Sequence, residues 1–363
     1  MNFFLGGTMA IVSFALSLIG VEFVLRAQTK IISNLPKAIN LDGNTIFQCY
    51  QIDPTYIYRT VPGSKDCEPI DSEGFRSDPT GSLRADKTIV VIGDSYVYGT
   101  YAADDETFPY QLERILRSRG NNANVVNAGI PGYGTDQEYL YLTQYVLGRV
   151  HPDLVIWTIH ENDWFDNDKA CLIHVDDDAL RVISARRNTM YITVRMNMLM
   201  PQFIKNLALY KLILSVIPES KTIGCSSNGN SSVGEISLKM ARLFHSAEKI
   251  AEKEGLTIVY VFVEGQRAFI DNRDTSSDYV RTITEKIATL LEYKILPFIA
   301  SPEIFAKAQS VDTSNSPQML SLDSYLFSSR DPAVFGAKHF NDIGNTLFAE
   351  SVADYLQIRG LSQ

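Results

Sequence analysis

The stretch Lys87-Thr88-Ile89-Val90-Val91-Ile92-Gly93-Asp94-Ser95-Tyr96-Val97-Tyr98-Gly99 decides how the rest of this 363-residue chain is read. Residues 88–92 are all β-branched, the composition of a strand covered on both faces. Gly93 then permits a sharp turn. Ser95 emerges at the carboxyl end of the strand, where open α/β sheets hold their ligands. Taken alone, a serine at this point reads equally well as a helix cap.

Working outward, strand-like and helix-like stretches alternate from Lys87 onward, which argues for a parallel sheet covered on both faces. Strands are expected at 88–92, 125–127, 154–159, 257–263 and 295–299, five in all. Helices are expected at 108–118, 137–147, 235–254, 277–293 and 342–356. The alternation stops at 165–234, which is expected to be a cap-like insertion. It opens on a hairpin, 171–175 and 180–184, around Asp176-Asp177-Asp178, with the acids on a solvated turn. A Met- and Leu-rich segment up to Val216 follows and is expected to pack into the core. Residues 31–86 form a polar lead-in with little periodicity, read as irregular packing against a domain spanning 87–363.

Residues 3–25 are apolar or small except for Glu22, a length that crosses the hydrocarbon layer as a helix. A signal anchor over 1–30 is expected, with a cleaved signal peptide or a buried helix as alternatives. Arg26, Lys30 and Lys37 follow this segment, and the positive-inside rule taken alone would leave the rest of the chain in the cytoplasm. The cysteines point the other way. Cys49 and Cys67 lie close together and Cys171 and Cys225 bracket the insertion, so two local bridges are the simplest of the three pairings. Bridges imply an oxidising compartment. Reduced thiols are the alternative, and no CxxC pair suggests zinc. The charge balance, 33 basic against 42 acidic residues, comes without a Lys/Arg-rich run, so no nucleic-acid partner is expected.

Four segments in order carry the chemistry. Gly93-Asp94-Ser95 follows the first expected strand and Asn127-Ala128-Gly129-Ile130-Pro131-Gly132 the second. His160-Glu161-Asn162-Asp163 follows the third, and His339-Phe340-Asn341 precedes the last helix. Together they resemble the conserved blocks of the SGNH (GDSL-like) hydrolases over roughly 87–356. Asp71-Ser72-Glu73-Gly74-Phe75-Arg76 and Glu106-Thr107-Phe108-Pro109 resemble segments of membrane-anchored bacterial envelope members.

The resemblance implies a flavodoxin-like three-layer sandwich with a five-stranded parallel sheet, an N-terminal transmembrane helix and the insertion. It implies Ser95 as nucleophile and His339 as general base, passing through an acyl-enzyme. The Ser95 and Gly132 N–H groups and the Asn162 amide match the family's oxyanion donors. No metal or organic cofactor is required. Two positions depart from the pattern. His160 stands where the third block usually has glycine, and is read as packed and hydrogen-bonded. Gly336 stands where the family places an aspartate three residues before the histidine, so His339 needs another orienting group. Asp331 is one candidate and a backbone carbonyl is the other.

The function expected is removal of O-acyl, chiefly acetyl, groups from an envelope or extracellular glycan or a small ester. The protein would be held at the cell inner membrane by a single pass with its hydrolase domain in the periplasm. An O-acetyltransferase using the same serine and histidine, and a silent glycan-binding or assembly protein, are the competing readings.

Overall fold

The computed structural model describes residues 13, 16–25, 49–65, 68–76, 85–160, 162–176, 179–216, 233–263, 298–300 and 339–362. Within them the strands in chain order are β1 (Tyr50–Asp53), β2 (Ile57–Thr60), β3 (Lys87–Gly93), β4 (Ala123–Gly129), β5 (Leu154–Ile159), β6 (Ile173–Asp176), β7 (Ala179–Val182), β8 (Thr257–Val263) and β9 (Phe298–Ala300). The helices that matter for the site and the insertion are α1 (Ser95–Tyr98), α2 (Phe108–Ser118), α3 (Thr135–Tyr141), α4 (Asp163–Ala170), α5 (Thr189–Leu199), α6 (Gln202–Lys205), α7 (Ala208–Val216), α8 (Val233–Glu254) and α9 (Asp342–Ile358).

The main sheet runs β4-β3-β5-β8-β9, every pair parallel. Numbered along the sheet's own strands, this is the doubly wound order 2-1-3-4-5, whose switch point lies between β3 and β5. The period-2 alternation of a strand sends Ile89 and Val91 to one face and Val90 and Ile92 to the other, all fully buried. On the first face they meet Phe108 and Leu112 of α2 and Phe348 and Val352 of α9; Phe108 and Phe348 stack at 4.2 Å. On the second they meet Trp157 of β5, Met240 and Phe244 of α8 and a group of tyrosines that includes Tyr133 and Tyr141. Two apolar layers therefore fix β3, and with it the turn that carries Ser95.

Several expectations change in detail. The lead-in is not irregular throughout: β1 and β2 pair antiparallel from Tyr50↔Thr60 to Asp53↔Ile57. Their turn is made by Asp53, whose Oδ1 accepts the Thr55 and Tyr56 N–H groups at 2.8 and 3.3 Å. The insertion does open on a hairpin, β6 against β7, with Asp176 bound by Arg181 and His174. Its Met-rich segment is only half core. Met190 and Val194 of α5 are buried, yet Leu199 is 64% and Phe203 71% exposed, because the segment forms short helices with one face outward. The helix expected at 277–293 lies outside the described residues.

Residues 16–25 are helical and largely exposed. Among the described residues no helix is long and apolar enough to cross a membrane; residues 1–12, 14 and 15 of the expected anchor lie outside them. Cys49 and Cys171 are both disulfide-bonded. Cys67 and Cys225, their expected partners, lie outside the described residues.

Candidate active site

The site is built from the turns that leave β3, β4 and β5, and from the residue that precedes α9. Asp94 caps α1, its Oδ1 accepting the Tyr96 N–H at 2.9 Å, so Ser95 is held as the first residue of a single helical turn. The short α1 is positioned by a close backbone approach. A Cβ on Gly129 would come within 2.3 Å of the Tyr98 nitrogen, so only glycine lets the end of β4 lie against this turn. From the other side the buried Arg76 guanidinium donates to the carbonyls of Tyr98, Gly99 and Ala102 at 2.7, 2.7 and 2.8 Å, and pairs with Asp104 at 2.9 Å. Arg76 thereby ties the last residue of α1 to its cap and to the turn that follows.

His339 Nε2 lies 2.8 Å from Ser95 Oγ, although 244 residues separate them. The serine hydroxyl also lies 3.3 Å from Asp94 Oδ2, so the imidazole is the nearer partner. His339 is buried, and its ring leans on Tyr96 at 4.8 Å with Tyr101 edge-on at 5.6 Å. Tyr96 also stacks on His160 at 3.8 Å and 18°. One tyrosine thus touches both imidazoles.

His160 is packed and hydrogen-bonded, as its sequence context suggested. Burial lowers its pKa, against the opposing charge of Asp94, and keeps the ring neutral. Its Nδ1 is 2.6 Å from Asn162 Oδ1; a carbonyl oxygen only accepts, so Nδ1 carries the proton and donates. That contact fixes the Asn162 amide. Its Nδ2 donates to Asp94 Oδ2 at 2.9 Å and to Asp166 Oδ2 at 3.0 Å. The structure therefore brings Ser95 and Asn162 to Asp94, and His339 to Ser95. It also shows both Asn162 N–H groups already accepted by carboxylates, so an oxyanion would have to displace one of them.

Gly132 lies in the loop after β4 with φ +75°, a conformation that favours glycine, and a Cβ there would meet the Tyr58 hydroxyl at 2.9 Å. Tyr58 braces this loop by donating to the Pro131 carbonyl at 2.7 Å, and burial raises its pKa so that the hydroxyl keeps its proton. Tyr133 donates in turn to the Tyr58 carbonyl. The first hairpin is thus the outer wall of the loop that carries Gly132. Asp331 and Gly336 lie outside the described residues.

Sequence reasoning missed a buried acidic layer behind these loops. Glu138 and Asp163 are fully buried. Glu138 Oε2 accepts the Trp157 indole N–H at 2.8 Å, and Asp163 Oδ2 accepts the His160 N–H at 2.7 Å. Each leaves its other oxygen without a partner. Burial, reinforced by neighbouring acids, pushes both carboxyls well above the usual range.

A doubly wound sheet with a serine hydroxyl on an imidazole at its switch point defines the α/β serine-hydrolase class of site. The sequence matches the family model described as GDSL-like Lipase/Acylhydrolase over residues 91–345. The chain belongs to this family, and is a carboxylic-ester hydrolase. Similar solved structures include TesA, at 14% identity over 75% of this chain and 99% of that chain, with TM-score 0.40. They also include the acetyl xylan esterase AlAXEase, at 13% over 74% and 99%, TM-score 0.42. A third is a catalytic mutant of Axe2, an acetylxylan esterase from Geobacillus stearothermophilus, at 12% over 76% and 94%, TM-score 0.39. No curated protein matches the sequence.

Proposed function

We propose that this esterase removes O-acyl groups, chiefly acetyl, from an envelope or extracellular glycan through an acyl-enzyme on Ser95. The observation that carries the mechanism is the 2.8 Å contact between Ser95 Oγ and His339 Nε2. Nε2 accepts the hydroxyl proton as Oγ attacks the ester carbonyl, and the resulting oxyanion is met by the Ser95 and Gly132 N–H groups and the Asn162 amide. Collapse expels the sugar hydroxyl, which takes the proton from His339. Water, deprotonated by the same imidazole, then attacks the acyl-Ser95 carbonyl and releases the acid and the free serine. Asp331 or a backbone carbonyl orients the ring.

The glycan rests on the likeness of Asp71-Ser72-Glu73-Gly74-Phe75-Arg76 to envelope members of the family. The extracytoplasmic location is supported by the disulfide-bonded Cys49 and Cys171, with pairs Cys49–Cys67 and Cys171–Cys225, and by the apolar residues 3–25 as a single-pass inner-membrane anchor. Acetate release from an O-acetylated polysaccharide tests the reading. Wild type should release acetate and Ser95→Ala should not. Cleavage of small aryl esters without acetate release, or acetyl transfer to an added sugar in place of water, would reject glycan ester hydrolysis.

A further inference from the structure

The insertion carries a feature that the esterase reaction does not use. From Ala179 to Val216 it holds six basic residues, Arg181, Arg186, Arg187, Arg195, Lys205 and Lys211, and no acid, in a chain of 33 basic and 42 acidic residues. The face it turns outward is apolar as well as basic. On α5, Met190, Tyr191 and Val194 pack inward while Ile192, Arg195 and Leu199 form an exposed stripe at helical spacing. Phe203 of α6 is 71% exposed, and Ile213 and Lys211 of α7 are exposed beside it in sequence.

A physical link joins this face to the N-terminal helix. Glu22, the one charge within residues 3–25, accepts the Ala208 and Leu209 N–H groups at 2.7 and 2.9 Å and so caps α7. The described part of the N-terminal helix, residues 16–25, is mostly apolar and exposed away from Glu22 and Leu25, with Leu16, Ile19 and Phe23 between 63 and 75% exposed. So apolar a surface is covered either by a protein core or by a bilayer, and the anchor proposed above is the second case. The Glu22 contact therefore sets the insertion where that helix leaves the apolar layer, at headgroup level.

We infer that the outward face of α5 to α7 is a lipid-docking surface for an anionic bilayer. Ile192, Leu199, Phe203 and Ile213 enter the headgroup–acyl boundary, and Arg195 and Lys211 meet lipid phosphates. A second copy of the chain is a poorer occupant, since it would set Arg195, Lys205 and Lys211 of this face against the same three cations with no acid in α5 to α7 between them. The inference deepens the anchor proposed above and rests on it.

Full-length chain reconstituted into phosphatidylglycerol–phosphatidylcholine vesicles tests it, with bromines placed high on the acyl chains as quenchers. Two variants at exposed positions add a tryptophan: Phe203→Trp, and Ile358→Trp at the 82%-exposed end of α9. The emission added by Phe203→Trp should fall by about twofold or more in anionic vesicles, because docked side chains reach roughly 5–10 Å into the boundary. The emission added by Ile358→Trp should not change. Arg195→Glu with Lys211→Glu should weaken the Phe203→Trp quenching. Vesicle flotation separates the two readings. A chain that floats with its Phe203→Trp emission unquenched retains the anchor and loses the docking surface. Equal quenching in purely zwitterionic vesicles overturns the anionic assignment, and a chain that does not float overturns both.

Discussion

Replacing Arg76 by methionine removes one buried cation and asks how firmly the Ser95 turn is held. The Arg76 side chain is 1% exposed and makes four hydrogen bonds, three to carbonyls at the end of α1 and just beyond it and one to Asp104. Hydrogen bonds to a charged group contribute about 1.5–3 kcal/mol each, but four that share one desolvated cation do not add. Without the cation the buried carbonyls lose a charged donor at about 1–3 kcal/mol each, short of additive, and methionine restores most of the lost volume but none of the donors. Arg76→Met should therefore lose about 3–5 kcal/mol, a large share of the roughly 5–15 kcal/mol typical of a domain. Asp104 is 33% exposed and supplies only one of the four partners, so Asp104→Asn should cost no more than about 1 kcal/mol. Urea unfolding reads both, as a shift in midpoint at unchanged slope. If Arg76→Met lies within about 1 kcal/mol of wild type, or Asp104→Asn matches it, the clamp on α1 is not what the geometry implies.

The buried carboxyls set a pH dependence. Because burial raises the folded pKa of Glu138 and Asp163, their contribution is complete below the ordinary carboxylate pKa of about 4 and is lost as pH rises through their higher folded values. Stability should fall toward alkaline pH, and Glu138→Gln should flatten that slope in urea titrations between acidic and alkaline buffers; an unchanged slope would remove Glu138 from the account. Asn162→Ala should lower kcat by about 10²–10³ with little change in KM, whereas an unaltered kcat would leave the amide as a tie between Asp94 and Asp166 alone. His160→Phe keeps a ring against Tyr96 but loses the donor to Asn162 and should cost about tenfold in kcat, with His160→Gln recovering part of it.

What was legible in the sequence followed from period and composition. Continuous runs of β-branched, aromatic and other apolar residues marked the strands that became β3, β5 and β8, because doubly covered strands have no polar face to confuse the pattern. The Ser95–His339 pair was legible only through resemblance, since no local rule joins residues 244 apart. The first hairpin escaped because each strand has four residues and its turn is set by the Asp53 side chain rather than by glycine. Helix α3 hides its surroundings more deeply. Thr135-Asp136-Gln137-Glu138 has the polarity of a surface segment, yet all four are fully buried. Lys239 and the Leu172 and Ile173 N–H groups donate to Asp136 Oδ2, the Gln137 amide donates to the Tyr56 carbonyl, and the Trp157 indole donates to Glu138 Oε2. Those partners come from distant segments, so single-sequence periodicity has no means of announcing them.

The central claim is that Ser95 is the nucleophile and His339 its base, and covalent labelling addresses it most directly. Intact-mass and peptide analysis after exposure to a fluorophosphonate should find one adduct per chain, on Ser95. Ser95→Ala should take up none, and His339→Ala should label more slowly by at least about a thousandfold while its circular dichroism is unchanged. An adduct on another residue, or a His339→Ala protein that labels at the wild-type rate, would contradict the mechanism.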